Sequence, residues 1–290
     1  MNPERRVAIV TDSTVSIRPE DKEVQELGVT IVPLRISFFE NNQFVDYADL
    51  DIKTEEFYRK MRASKYLPRT SGAVSGRIAE VYKELREEAN AIISIHISSR
   101  HSVAWQSAVL GAKSAREEIP ELSIEVIDSR QISLGTWFSV AHAAKLAQDG
   151  ARLEEIKKGV LEIIPKIEFL ATLSTLKNII RGGRVPALTG YLGSLLRIMP
   201  ILTIKDGELQ EVGKMRTVCR ARRELVRRVE DEEEEIVKMA ILHTHDYEGA
   251  QEVREALAKF YPKHIPIHDA GPVLGVHGGE GAVGVVFQKA

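Results

Sequence analysis

The chain contains a single cysteine, Cys219, among its 290 residues. An intramolecular disulfide needs two cysteines, so none can form, and a four-cysteine metal cluster is excluded as well. No apolar run reaches the roughly 20 residues that a membrane-spanning helix needs. Residues Met1–Arg6 lead into an apolar strand without the hydrophobic core of a secretory signal. We therefore expect a cytoplasmic protein with no integral membrane segment.

The sequence also lacks an excess of positive charge. Its 40 Lys and Arg residues are balanced by 42 Asp and Glu residues, which gives a net charge of -2. Nucleic-acid binding needs a concentrated basic surface, so the composition does not favour it. The glycine-rich phosphate loop of nucleotide-binding proteins is absent too. The 43% of hydrophobic residues is enough for ordinary globular cores.

Strand-like and helix-like segments alternate through the first half of the chain. Arg6–Val10, Thr30–Phe39, Ala91–Ile97 and Leu122–Ile127 are apolar runs rich in β-branched residues, and helical patterns separate them. Such alternation is typical of a parallel sheet covered by helices on both faces. The pattern predicts an N-terminal three-layer α/β/α domain with a mainly parallel sheet, over residues 1–160.

The second half has a different pattern. The segment Lys205–Glu208 contains Asp-Gly between two apolar runs, which is a strong signal for an antiparallel hairpin. Charged amphipathic helices and further strands follow. We predict a C-terminal α+β domain with a mixed sheet over residues 161–290, so the fold class is α/β with two domains.

Hydroxyl-rich segments follow several strands of the first domain. They are Thr11–Thr14, Ser98–Ser99 with Ser102 beyond, and Asp128–Ser129, while Thr70 and Ser71 lie between the first two. The carboxyl ends of parallel strands line the crevice where ligands bind. One interpretation is helix capping, for which these residue types are preferred. The other is an anion site, and neutral hydroxyls suit one carboxylate better than a phosphate.

Two glycine-rich segments stand out in the second domain. Gly182-Gly183-Arg184 is either a helix cap followed by a solvated arginine or a bend that presents a guanidinium. His277 lies in the glycine-dense segment Gly271–Gly281, which predicts a loop whose backbone approaches another group closely. The apolar stretch Tyr191–Ile198 is either core or the wall of an apolar ligand site.

Metal binding and hydrolysis are two further chemistries that these polar residues suggest. His243 and His245 end a strand, but no third ligand lies at metal-site spacing, so no metal is expected. Ser102 and His277 would need Asp12 or Asp128 to complete a hydrolytic triad, and Ser102 lacks the Gly-x-Ser-x-Gly elbow. An independent hydrolase or an acyl or phosphoryl transferase using His277 and Ser102 is thus the alternative function.

Seven segments, in order and at matching spacing, resemble the DegV family of fatty-acid-binding proteins. They are Val7–Thr14, Arg69–Ser75, Ile97–Ala108, Val126–Gly135, Leu173–Val185, Met199–Leu202 and Gly271–Ala282. The ordered set covers nearly the whole chain and is specific for this family.

The resemblance implies that a long-chain fatty acid lies between the two domains, with its carboxylate hydrogen-bonded by Thr70 and Ser102. It places Arg184 and His277 near the head group. Ser71 and Ser99 are further candidate hydroxyls of the same loops. No catalytic residue and no cofactor besides the bound fatty acid is implied. Some members present the acid to a separate kinase, which would make this chain the non-catalytic binding subunit of a fatty acid kinase.

The sequence departs from the family pattern at six positions. Gly72 and Ala73 replace Gln-Pro, His101 and Val103 flank Ser102 where Leu and Gly are common, Met199 replaces Lys, and Glu280 replaces Pro. Thr70 and Ser102 are retained. Acyl-chain length, the kinase partner and the oligomeric state are left open.

Overall fold

The computed structural model describes residues 6–185, 188 and 198–290. The chain divides into two units. The first contains the residues up to Arg35 and Ser71–Pro165, and the second contains Ile36–Thr70 and the residues from Lys166 onward. The change of pattern along the chain predicted one boundary near residue 160, and no local pattern indicated that residues 36–70 belong with the second unit.

The described residues form the following strands: β1 Val7–Asp12, β2 Val29–Val32, β3 Arg35–Glu40, β4 Gln43–Ala48, β5 Arg69–Ser71, β6 Ala91–His96, β7 Ser123–Asp128, β8 Ile167–Thr172, β9 Met199–Lys205, β10 Glu208–Met215, β11 Ile236–His243, β12 Ile267–Asp269 and β13 Val283–Lys289. The helices are α1 Lys22–Leu27, α2 Thr54–Ala63, α3 Ser75–Leu85, α4 Ala104–Glu118, α5 Leu134–Gln148, α6 Leu153–Ile163, α7 Lys177–Gly182, α8 Val218–Glu230, α9 Tyr247–Leu257 and α10 Gly271–Gly278. None of these helices is long and apolar enough to cross a bilayer.

The first unit is built on a parallel sheet of order β2-β1-β6-β7. Every residue of β6 is buried, as expected for an apolar strand covered on both faces. Val10, Ile92 and Ile124 point to one face and pack with α3 and α4. Helix α5 is apolar around most of its circumference and contacts β1 and β6. The predicted α/β/α arrangement with a parallel sheet is confirmed.

The second unit contains a mixed sheet of order β10-β9-β8-β13-β11-β12, in which only the β11–β12 pair is parallel. Helix α8 buries Ala221, Leu225 and Val229, spaced four residues apart, in the core under this sheet. The β9–β10 hairpin turns at Asp206 and Gly207, whose φ angles are 52° and 81°. Both predictions, the mixed sheet and the hairpin, are confirmed.

Most of a small sheet of order β4-β3-β5 also belongs to this unit, and only Arg35 of β3 and Ser71 of β5 fall in the first unit. The predicted strand Thr30–Phe39 is in fact two strands, because Pro33 lacks the N–H that a central strand needs and separates β2 from β3. The chain then reverses at Asn41 and Asn42, both with positive φ, and returns as β4. This hairpin was not predicted.

The glycine-dense segment was predicted to be a loop, and that prediction was wrong. Residues Gly271–Gly278 form α10, with Pro272 in its first turn and Gly279 at its end. Proline fits the first turn of a helix because its missing N–H has no partner there. The predicted apolar wall at Tyr191–Ile198 falls, apart from Ile198, outside the described residues.

Candidate functional site

Thr70 and His277 meet although 207 residues separate them in the chain. Thr70 lies in the short strand β5, and His277 lies in the last turn of α10. The Oγ1 atom of Thr70 is 2.9 Å from Nε2 of His277, and both side chains are partly buried. The second unit therefore brings together two of the predicted head-group residues.

Helix α7 holds the imidazole of His277 in place. A Cβ atom at Gly182 would lie 2.6 Å from Nδ1 of His277, so the ring packs directly against the Gly182 backbone. Asn178 Nδ2 also donates to the carbonyl oxygen of Val276 at 3.0 Å, which ties α7 to the turn that carries His277. Only a residue without a Cβ allows this close approach at position 182, a role that the glycine pair did not predict.

Arg184 lies at the carboxyl end of the same helix. Gly183, with φ of 67°, ends α7, and the exposed Arg184 donates from Nη1 to the carbonyl oxygen of Gly182 at 2.6 Å. A guanidinium on the last carbonyls of a helix is favourable because those carbonyls carry partial negative charge. Here Arg184 follows a glycine cap, and the carbonyl it binds belongs to the glycine that contacts His277.

The first unit carries Ser71, Ser99 and Ser102. Ser102 is half-buried, precedes α4, and accepts a hydrogen bond from the Ala104 N–H at 3.1 Å. Ser71 is exposed at the end of β5. Ser99 donates from Oγ to Oδ2 of Asp128 at 2.6 Å, so this hydroxyl ties the loop after β6 to the end of β7.

Two of the departures from the family pattern are explained by local packing. A Cβ atom at Gly72 would lie 3.0 Å from Cγ2 of Val103, so the small residue at 72 makes room for the larger one at 103. The carboxylate of Glu280 pairs with Arg62 at 2.6 Å, which balances its charge within the second unit.

A buried carboxylate lies at the end of β1. Oδ1 of Asp12 accepts from the N–H and the hydroxyl of Thr14, and Oδ2 accepts from the Ile97 N–H at 3.1 Å and lies 2.9 Å from Nδ1 of His96. Burial by itself raises the pKa of Asp12, but these hydrogen bonds, led by that of His96, outweigh it and lower the pKa below 3.8.

The hydrogen-bond chain continues on the other side of His96. Its Nε2 is 2.8 Å from Oγ of Ser94, which accepts from the hydroxyl of Tyr82 at 2.8 Å. When the imidazole of His96 carries its proton on Nδ1, it donates to Asp12 and accepts from Ser94, so each hydrogen bond of the series has one donor and one acceptor. Although a carboxylate, an imidazole and a hydroxyl are in line, all three side chains are buried, so we interpret the chain as structural. These hydrogen bonds were not predicted, although the two polar residues in the otherwise apolar strand β6 were a signal for them.

Both carboxylates considered for a hydrolytic triad thus have other partners, since Asp12 binds His96 and Asp128 binds Ser99. His277 pairs with a threonine hydroxyl. Nothing in these contacts favours the independent-enzyme alternative.

His243 and His245 contact different carboxylates. His243 accepts from the Asp246 N–H at 3.3 Å and lies 3.7 Å from Asp269, and burial lowers its pKa. His245 lies 3.8 Å from Glu280. Across residues 6–185, 188 and 198–290, no group of three or more His, Cys, Asp or Glu side chains is placed to hold a metal ion.

The fold is that of a two-unit α/β protein, with a parallel sheet in one unit and a mixed sheet in the other. Residues 6–290 match the family described as uncharacterised protein, DegV family. The DegV domain-containing protein YejH of Lactococcus lactis is 36% identical over 97% of this chain and 99% of its own length. The chain belongs to the DegV family.

Solved structures of the family have the same fold. A fatty-acid-binding DegV family protein from Thermus thermophilus is 28% identical, with a TM-score of 0.85 over 98% of this chain and 100% of its own. A DegV family protein from Ruminococcus gnavus, refined with vaccenic acid, is 26% identical, with a TM-score of 0.84 over 97% of this chain and 99% of its own. The Thermus thermophilus protein binds a fatty acid, and the Ruminococcus gnavus structure contains vaccenic acid.

Proposed function

We propose that this protein binds a long-chain fatty acid, with the carboxylate hydrogen-bonded by Thr70 and Ser102 and with Arg184 and His277 beside it. The observation that carries the proposal is the Thr70–His277 hydrogen bond, held by the packing of His277 on Gly182, in a chain whose relatives hold fatty acids. Hydroxyl, imidazole and guanidinium groups are suitable donors for a carboxylate.

The acyl tail supplies most of the affinity in this proposal. Burying about 14 methylene groups at roughly 0.8 kcal/mol each supplies on the order of 10 kcal/mol before the entropic costs of binding. The polar residues then fix the position of the head group. Ser71 and Ser99 are secondary candidates, and the bond of Ser99 to Asp128 supports a role in shaping its loop.

The finer part of the proposal is that the protein presents the carboxylate to a separate kinase, or carries the acid in lipid metabolism. The sequence has no glycine-rich phosphate loop, which supports the proposal that a separate protein binds the nucleotide. Phosphorylation of the bound acid by a purified fatty acid kinase, absent when either protein is omitted, is the expected result. No transfer with a kinase active on another DegV protein would contradict this part alone.

The binding step is tested by extracting the denatured protein with organic solvent and identifying any lipid by mass spectrometry. We expect a stoichiometric fatty acid, whose length and saturation the spectrum gives. Replacing both hydroxyls, Thr70→Val with Ser102→Ala, should weaken fatty-acid binding by at least about 100-fold, since each substitution removes a hydrogen bond to a charged group.

The matched control replaces hydroxyls remote from these loops, with Thr203→Val in β9 and Ser123→Ala at the amino end of β7. Binding by this control should equal that of the parent protein. Thermal unfolding of each variant checks the fold, because Ser102 also accepts the Ala104 N–H. Equal affinity of the double variant and the parent would show that the head-group assignment is wrong.

A further inference from the structure

Three aromatic side chains of the second unit form a cluster at the surface. Phe39 of β3 lies with its ring centroid 5.3 Å from that of Phe44 and 5.1 Å from that of Tyr66, both edge-to-face. Phe44 is 43% exposed and Tyr66 is 48% exposed. Exposed aromatic residues grouped in this way are typical of binding surfaces, because large rings left in water gain most from a partner that covers them.

Three cations surround these rings. The guanidinium carbon of Arg69 lies 4.1 Å from the centroid of Phe44, Nζ of Lys65 lies 5.4 Å from that of Tyr66, and Arg181 of α7 lies on the same groove. The groove has a volume of about 530 Å³. We call it the Phe44 groove, after its central exposed ring.

The cations of the Phe44 groove differ from three arginines of α8. On α8, Arg222, Arg227 and Arg228 each pair with an acidic side chain. In the part of the chain that the structure describes, no Asp or Glu forms an ion pair with Lys65, Arg69 or Arg181. The groove therefore presents positive charge that the described residues do not neutralise through ion pairs.

The arrangement favours carboxylates as the complementary groups. A guanidinium stacked on a ring keeps the N–H groups at its edge available, and these bind a carboxylate through two parallel hydrogen bonds. A nucleotide base would need a bare ring face, and Arg69 already covers a face of Phe44. A lipid surface would need a protruding patch, whereas this site is a groove.

We propose that the Phe44 groove is a docking site for an acidic segment of a partner protein. Carboxylates of that segment pair with Lys65, Arg69 and Arg181, while an aromatic or aliphatic side chain packs among the rings. This proposal does not depend on fatty-acid binding, because no residue of the groove belongs to the proposed head-group site.

The test uses a fluorescein-labelled peptide, Glu-Glu-Phe-Glu-Glu, and fluorescence anisotropy with the full chain. We expect binding with a dissociation constant below about 1 mM at low salt, and weaker binding as the ionic strength rises. A peptide with glutamine for every glutamate, and one with glycine for the phenylalanine, should both bind less tightly. The protein variant R69A/R181A should lose about tenfold in affinity, and F44A should also weaken binding.

Arg227→Ala on α8 is the matched control, since it removes an exposed arginine outside the groove, and it should bind the peptide as the parent does. Unfolding midpoints and fatty-acid uptake are measured for every variant. Absent peptide binding, or equal binding by the parent and R69A/R181A, would overturn the proposal. The proposal would also be overturned if neither protein bound the peptide, while the parent bound anionic phosphatidylglycerol vesicles and R69A/R181A did not.

Discussion

Replacing Gly182 by alanine should displace His277 without unfolding the protein. The φ angle of Gly182 is not positive, so alanine adopts this backbone without strain. The new Cβ, however, would lie 2.6 Å from Nδ1 of His277, and ordinary contact begins at 3.4 Å. The imidazole ring must therefore move by about 0.8 Å. If it moves away from Thr70, their 2.9 Å hydrogen bond lengthens beyond hydrogen-bond range and breaks.

The expected loss follows from the hydrogen bonds that the displaced ring no longer supports. A hydrogen bond to a charged group contributes about 1.5–3 kcal/mol, so fatty-acid affinity should fall by about 10- to 100-fold. Stability should change little, because the higher helix propensity of alanine offsets up to about 1 kcal/mol of the steric cost. Titration calorimetry with the extracted fatty acid measures the affinity, and the ¹⁵N spectrum of the imidazole reports whether His277 has moved.

Gly183→Ala is the matched control. No atom lies within 4 Å of a Cβ at this position, but its φ of +67° strains alanine. This variant should lose about 1 kcal/mol of stability and keep its fatty-acid affinity. If Gly182→Ala bound the ligand as tightly as the parent, with an unchanged imidazole spectrum, His277 would not position the head group as we infer.

Two further predictions concern the folded state. Asp12→Asn should destabilise the protein by about 3 kcal/mol at neutral pH in chemical denaturation, because its amide donor would face the buried donors His96 Nδ1 and the Ile97 N–H. Because folding lowers the pKa of Asp12, its carboxylate contributes to stability above about pH 4, and this contribution is lost as the pH falls through the folded-state pKa. If the difference in unfolding free energy between parent and variant did not narrow in acid, this explanation would be wrong. Gly207→Ala should cost about 1 kcal/mol, because φ there is 81°; unchanged thermal stability would contradict that reasoning.

Local sequence patterns predicted the parallel sheet of the first unit and a hairpin of the second. The β-branched run at Ala91–His96 and the hairpin signal at Asp206–Gly207 were sufficient, because each depends on neighbours a few residues away. The patterns failed where tertiary burial outweighed composition. The glycines of Gly271–Gly278 lower helix propensity, yet the segment is a helix with mostly buried apolar residues and proline in its first turn.

At the proposed head-group site, too, the sequence identified candidate residues but not their contacts. The family motifs identified Thr70 and His277 as candidates, but not that they share a hydrogen bond, since their contact depends on how β5 and α10 pack. The role of Gly182 as the surface under the imidazole could not be read from a glycine pair that also fits a helix cap. The Asp12–His96 contact joins two strands whose pairing no local pattern specifies.

The amino-acid sequence by itself determined the class of fold, the family and the segments that carry polar side chains, because periodicity, turn chemistry and motif order are properties of neighbouring residues. Only the tertiary structure decided that residues 36–70 fold with the second unit, that His277 packs on Gly182, and that Arg69 covers Phe44. These arrangements join residues distant in the chain, and they follow from which strands pair and which surfaces pack, which is settled by the whole chain together.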